Sequence, residues 1–107
     1  MATRIVYRGI RDRQVDVRAN GIPLPHRQDI CNYSNKFEWG NVSDGAAQLA
    51  LALLIHALGT VAALESHQHF KFEVISQITS EQWSIEKESI QKWYAHCNQQ
   101  NGQLQSD

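Results

Sequence analysis

Between Ala46 and Leu58 only Gln48 and His56 interrupt an otherwise apolar run. A helix that is apolar nearly all round must be covered on most sides, so this run predicts the central helix of a small core. Ser43 and Asp44 suit its start, as cap and as negative charge at the positive end of the helix dipole. Gly59 suits its end, where a positive φ is needed. At about 100° per residue, Ala46, Ala50 and Ala57 share a small-residue face, and Leu51, Leu54, Ile55 and Leu58 share a bulky one. Gln48, Ala52 and His56, at i, i+4 and i+8, form the one polar stripe. The run is too short for a membrane span, which takes about 20 apolar residues.

The pattern ahead of this helix has a period of two. Arg4 to Ile10 is rich in β-branched and aromatic residues, and Val15-Asp16-Val17-Arg18-Ala19 alternates apolar with charged. Both predict strands, the second with one buried face. Asn20-Gly21 is a two-residue hairpin turn, and Ile22-Pro23-Leu24 is the returning strand, short and at an edge because Pro23 cannot donate to a ladder. Residues 26–36 lack periodicity and form a surface loop, long for so small a domain; such loops are often functional.

After Gly59 the pattern predicts a second helix from Val61 to Ile78, capped by Thr60 and antiparallel to the first. Phe70, Val74 and Ile78, with Leu64, Ile75 and His67, make its inward face, and Phe72 points outward. Trp83-Ser84-Ile85 reads as a short extended piece, which would add to the sheet, or as the first turn of a further helix. Ile90, Trp93, Tyr94 and Cys97, at i, i+3, i+4 and i+7, mark an amphipathic third helix. Residues 98–107 are Gln- and Asn-rich and read as a disordered polar tail behind a single domain, 1–97.

Composition narrows the function classes. The 107 residues are 42% hydrophobic and 20% charged, with a net charge of −1, which argues against a general binder of nucleic acid or of anionic membranes. Six of the ten Lys and Arg residues lie at or before Arg27. That bias makes the sheet, with Arg8 and Arg18, the place for an anionic partner, although the interleaved Asp12 and Asp16 also fit a plain salt-bridged surface. Cys31 and Cys97 read as free thiols without metal-ligand spacing. The first residues, Met1-Ala2-Thr3-Arg4, contain no apolar targeting run, so the expected location is the cytoplasm.

Phe37-Glu38-Trp39-Gly40, followed closely by Ala47-Gln48-Leu49-Ala50-Leu51-Ala52, resembles the central motif of a family of short proteins of unknown function from bacteria, phages and plasmids. Tyr7-Arg8-Gly9, Phe70-Lys71, Val74-Ile75, Trp83 and the pair Ile90 and Trp93 are similar to its other landmarks, so the likeness spans most of the chain. Lys36 and Ala46 stand where that family often has Gly and Pro, which changes turn chemistry more than any reactive group. The resemblance implies a fold and a mobile-element setting, and no activity.

Candidate chemistry is sparse. His67 and His69 are two apart on a helix, point about 200° apart and cannot share one ion. No pair of histidines has the i, i+4 spacing of a helical zinc site, so neither metal nor cofactor is expected. Gln48 and His56 must find partners on the loop after Trp39 or on the sheet, or else line a pocket with Glu38. Trp39 reads as an aromatic plug at the start of the central helix or as an interface anchor. The expected fold is α+β, an N-terminal antiparallel sheet packed on a helix pair plus a C-terminal helix. The expected function is a small non-enzymatic binding or regulatory protein whose partner is a protein or a small anionic ligand. Glu38, Trp39, Gln48, His56, Phe72 and the two sheet arginines are the candidate binding residues. The alternatives are a small enzyme acting on nucleotides or nucleic acid, and a structural homo-oligomer joined through Phe72.

Overall fold

The helix α1 (Asp44–Leu58) is the axis around which the other elements pack. The Ser43 hydroxyl caps it, accepting from the Ala46 N–H at 3.4 Å. Ser43 is itself fixed by Asn41, whose Oδ1 accepts from the Ser43 N–H at 3.0 Å and from its hydroxyl at 2.6 Å. At the far end Gly59, with φ 96°, donates its N–H to the Ile55 carbonyl. Gly45 to Ile55 are all buried, and so is Ala57, as the apolar run predicts. In this computed structural model the backbone is described for residues 4–105 and the side chains for residues 4–97.

Four strands form one antiparallel sheet: β1 (Val6–Arg11), β2 (Val15–Ala19), β3 (Ile22–Pro23) and β4 (Gln82–Glu86), in the order β3-β2-β1-β4. The extended reading of Trp83-Ser84-Ile85 therefore holds, and the segment adds a fourth strand beside β1. Asn20 and Gly21 turn the β2–β3 hairpin with φ of 50° and 84°, the positive values such a tight turn requires. The Asn20 side chain also accepts from the Val6 N–H at 2.8 Å and donates to the Arg4 carbonyl at 2.9 Å, so it fixes the start of β1 as well.

The pleat sorts the two sheet faces. Tyr7, Val17 and Ala19 are buried toward the helices, while Arg8, Ile10, Asp16 and Arg18 are exposed on the other face. Gly9 pairs with Val17 on one side and Trp83 on the other, and the Trp83 indole lies where a Gly9 side chain would be. That contact explains why β1 carries a glycine in mid-strand, where it otherwise weakens a sheet.

The second helix is shorter than its pattern predicts. α2 runs Thr60–Glu73, and Ile75–Gln77 is a 3₁₀ turn. Two bonds end the α-helix. The Ser76 hydroxyl donates to the Phe72 carbonyl at 2.7 Å, taking the acceptor a continuing helix would offer to its backbone. The Ile75 carbonyl accepts from the Gly40 N–H at 2.9 Å, a tertiary partner that periodicity cannot foresee. Two details are also corrected. Gly59, not Thr60, is the N-cap of α2, with no side-chain cap bond, and Leu64 is exposed rather than inward. His67, Phe70 and Ile75 are buried as expected, and Phe72 is exposed.

The last helix, α3, spans Lys87–Gln105 and starts directly from β4. Its Ile90 is buried, and Trp93, Tyr94 and Cys97 are half-buried along the expected stripe. The expected polar tail, 98–107, lies outside the residues whose side chains are described, and 106–107 lie outside the described backbone. One core of buried side chains reaches from Tyr7 to Ile90 and joins sheet and helices. Among the described residues no helix is long and apolar enough to cross a membrane.

Candidate functional site

The segment 37–45 is a wedge between the sheet and α1. Trp39 is 1% exposed, donates its indole N–H to the Ser80 carbonyl at 2.9 Å and meets Trp83 edge-on at 5.6 Å. The Arg11 guanidinium covers its ring from 4.8 Å, while its fork grips Glu81 at 3.0 and 3.1 Å. That ion pair holds the Glu81 carboxyl below the usual carboxylate range. Gly40, at φ 79°, sends its N–H to the Ile75 carbonyl. Glu38 packs its side chain against Gly45, where a Cβ would come within 2.6 Å of its Cγ. Trp39 is thus the aromatic plug, not a surface anchor.

Gln48 holds the loop that precedes this wedge. Its Oε1 accepts from the Tyr33 and Ser34 N–H groups at 2.8 and 3.1 Å, and its Nε2 donates to the His26 and Cys31 carbonyls at 2.6 and 3.1 Å. These four bonds use both donors and both lone pairs of the amide, and the side chain is fully buried. Gln48 therefore finds its partners in the loop before Trp39 rather than after it. Within the loop Arg27 takes a left-handed φ of 60°, its carbonyl accepts from the Ile30 and Cys31 N–H groups, and its guanidinium pairs with Asp29 at 3.1 Å. The guanidinium keeps the Asp29 carboxyl below its ordinary range. A non-glycine residue in that conformation persists only where its surroundings impose it.

Two of the histidines singled out by sequence, His56 and His67, are occupied by tyrosines. His67 Nδ1 donates to the Ala63 carbonyl at 2.9 Å, which leaves Nε2 to accept from the Tyr33 hydroxyl at 2.7 Å. His56 Nδ1 lies 2.8 Å from the Tyr7 hydroxyl. Burial pushes the Tyr7 phenol up to about 12, so it stays protonated where it meets that imidazole. The expected link from His56 to the sheet is this bond.

With the loop held, a cleft of about 700 Å³ opens between it and the β2–β3 hairpin. Val15, Val17, Leu24 and Phe37 give it an apolar floor, and His26 stacks flat on Phe37 at 4.0 Å. Arg13 and Lys36 stand on its rim with Asp16 and Glu38. Asp16 is taken up by Arg18, at 3.0 and 3.1 Å, and Glu38 receives a long bond from Asn41 at 3.4 Å. Four of the six N-terminal arginines are paired, Arg4 with Glu86, Arg11 with Glu81, Arg18 with Asp16 and Arg27 with Asp29. Among the described residues Arg8 and Arg13 make no such pair.

The predicted site residues are thus dispersed. Glu38 lines the cleft and Gln48 braces its loop from beneath. Arg18 neutralises one of its acids. Arg8 faces Arg18 across the outer sheet surface, Trp39 is internal, His56 is tied to Tyr7, and Phe72 is exposed on α2. His26, Arg13, Lys36 and Phe37 are the cleft residues that the sequence did not single out for binding. Phe37 carried a signal through its motif and Arg13 through the N-terminal arginine bias, whereas a polar loop without periodicity gave none for His26 and Lys36.

No curated protein and no solved structure matches the chain significantly. Residues 7–96, which hold the sheet, the wedge, the braced loop and all three helices up to His96, match the Family of unknown function (DUF6166), and the chain belongs to that family.

Proposed function

We propose that this is a small non-enzymatic binding protein, of the mobile-element type its central motif suggests, which works in the cytoplasm. It takes an anionic, partly apolar partner, a host protein segment or a small ligand, in the cleft beside Phe37. The single observation behind this reading is an apolar floor rimmed by Arg13 and Lys36 and bounded on one side by a loop that a buried glutamine fixes in place. Affinity in such sites comes from the apolar lining, and orientation from a few placed charges. An enzyme of the alternative class would bring at least two of Glu38, Gln48, His56 and His67 within hydrogen-bond reach of one another in one concavity. Each instead has its own partners, Asn41, the loop backbone, Tyr7 and Tyr33.

Capture from bacterial lysate by the immobilised wild type, compared with Arg13→Ala/Lys36→Ala, tests the cleft. The double variant is expected to lose the retained partner by about tenfold or more in apparent affinity, since it removes two rim cations. Equal retention by both proteins would place binding elsewhere.

A second reading, self-association, has its own observation. Val61, Leu64 and Phe72 are 74%, 47% and 54% exposed and share one face of α2. A two-fold pairing would bury this stripe against its copy. Sedimentation equilibrium is expected to give a dimer that Phe72→Glu converts to monomer. A wild type that stays monomeric at high micromolar concentration sinks the idea, and a dimer that survives Phe72→Glu moves the contact to another surface.

A further inference from the structure

The helices α2 and α3 bring together three side chains that the sequence keeps well apart. His69 and Glu73 are i, i+4 on α2, and Cys97 faces them from α3; one ligand atom from each lies within 4.8 Å of the others. The His69 imidazole sits between its two neighbours, with Nε2 at 3.0 Å from a Glu73 oxygen and Nδ1 at 4.0 Å from the Cys97 sulfur. We propose that His69, Glu73 and Cys97 form a binding site for a divalent transition-metal ion of the zinc class, which clamps α3 onto α2.

The donor set selects the class of ion. A thiolate with an imidazole suits zinc and other borderline-soft ions, whereas magnesium and calcium take oxygen donors. Tetrahedral zinc, with bonds of about 2.0–2.3 Å, places its ligand atoms roughly 3.4 Å from one another. The two short contacts use opposite nitrogens of the ring, and an ion takes one of them; with one ligand atom per residue the three lie within 4.8 Å of one another, so closure has to draw them together by up to about 1.4 Å. Three protein ligands leave a fourth position open to water.

The carboxylate is already aimed. Trp93 donates its indole N–H to the second Glu73 oxygen at 2.9 Å, which leaves the first turned toward His69. The Trp93 ring also meets His69 edge-on at 5.4 Å and Phe70 at 5.0 Å, walling the cluster on its inner side. Such outer partners commonly orient metal ligands. Binding exchanges the Cys97 Sγ–H bond for an Sγ–metal bond and releases that proton to solvent, while imidazole and carboxylate donate lone pairs. No oxidant or reductant is involved. A histidine–carboxylate pair at i, i+4 together with a distant cysteine is not the paired-histidine pattern of a helical zinc site, and only the packing of α3 on α2 brings the three together.

The alternative is a cluster that only hydrogen-bonds the two helices, and metal titration separates the two. The full-length reduced protein, stripped with chelator, is titrated with Zn(II) and, in parallel, Co(II). Expected are one zinc per chain by elemental analysis, an apparent Kd of about 1 µM or tighter, and a Tm that rises with zinc concentration. Cobalt is expected to give a thiolate-to-metal charge-transfer band. Cys97→Ser should abolish that band, and His69→Ala and Glu73→Gln should each weaken binding by about tenfold to 100-fold or more. His69 and Glu73 are half-exposed, so these variants can be checked for folding and read directly. Cys31→Ser is expected to leave the band unchanged. Absence of stoichiometric zinc, a band that survives Cys97→Ser, or one that disappears with Cys31→Ser would each overturn the site.

Discussion

Leu54→Ala is expected to cost about 2–5 kcal/mol and to lower Tm by about 10 °C or more. Leu54 is fully buried, on the bulky face of α1, in the middle of the core that joins sheet and helices. Truncation removes apolar contact and leaves a cavity that a helix packed on most sides cannot collapse to fill. The Ala46, Ala50 and Ala57 face is buried as well, so α1 has no loose side toward which to shift. Thermal melts followed by circular dichroism measure the effect. A shift of less than a degree would mean that α1 is not the organising element.

Gln48→Leu is expected to have the second largest effect, of a different kind. Leucine nearly preserves the volume but strands four backbone groups, the N–H of Tyr33 and Ser34 and the carbonyls of His26 and Cys31. A buried polar group left without a partner costs about 1–3 kcal/mol, and the loop can recover part of that by opening to water. The expected outcome is a loss of about 3 kcal/mol, with the damage concentrated in residues 26–36. Amide hydrogen exchange resolves the two parts. The Tyr33 and Ser34 amides should be protected in the wild type and exchange rapidly in the variant, while α1 keeps its protection. Uniform loss across the chain would instead make Gln48 an ordinary core residue.

What the sequence revealed and what it hid follow from the range of the forces involved. α1 was legible because its signals are local: an apolar run, a serine cap and a terminal glycine. The Asn20-Gly21 hairpin was legible for the same reason, since its turn needs only the φ values those two residues tolerate. The end of α2 was not, because Val74 and Ile78 continue the helical period. What stops it are the back-bonding Ser76 hydroxyl and a bond from Gly40, 35 residues upstream. Leu64 shows the same limit, since an apolar side chain next to a stripe can face either way. For Gln48 the chain disclosed that a buried amide needs partners, and not that it would take four backbone groups of one loop. The cleft and the His69, Glu73 and Cys97 cluster are products of tertiary placement, with no local pattern to announce them.

The measurement that bears most directly on the central claim is a titration of the labelled protein with small aromatic carboxylates and phosphates, followed by amide chemical shifts. Binding in the braced cleft should move Val15, Val17, Leu24, His26 and Phe37, and Arg13→Ala/Lys36→Ala should abolish those shifts with the rest of the spectrum unchanged. Shifts centred instead on Arg8 and Ser84 of the outer sheet face, or an equal response from the double variant, would contradict it.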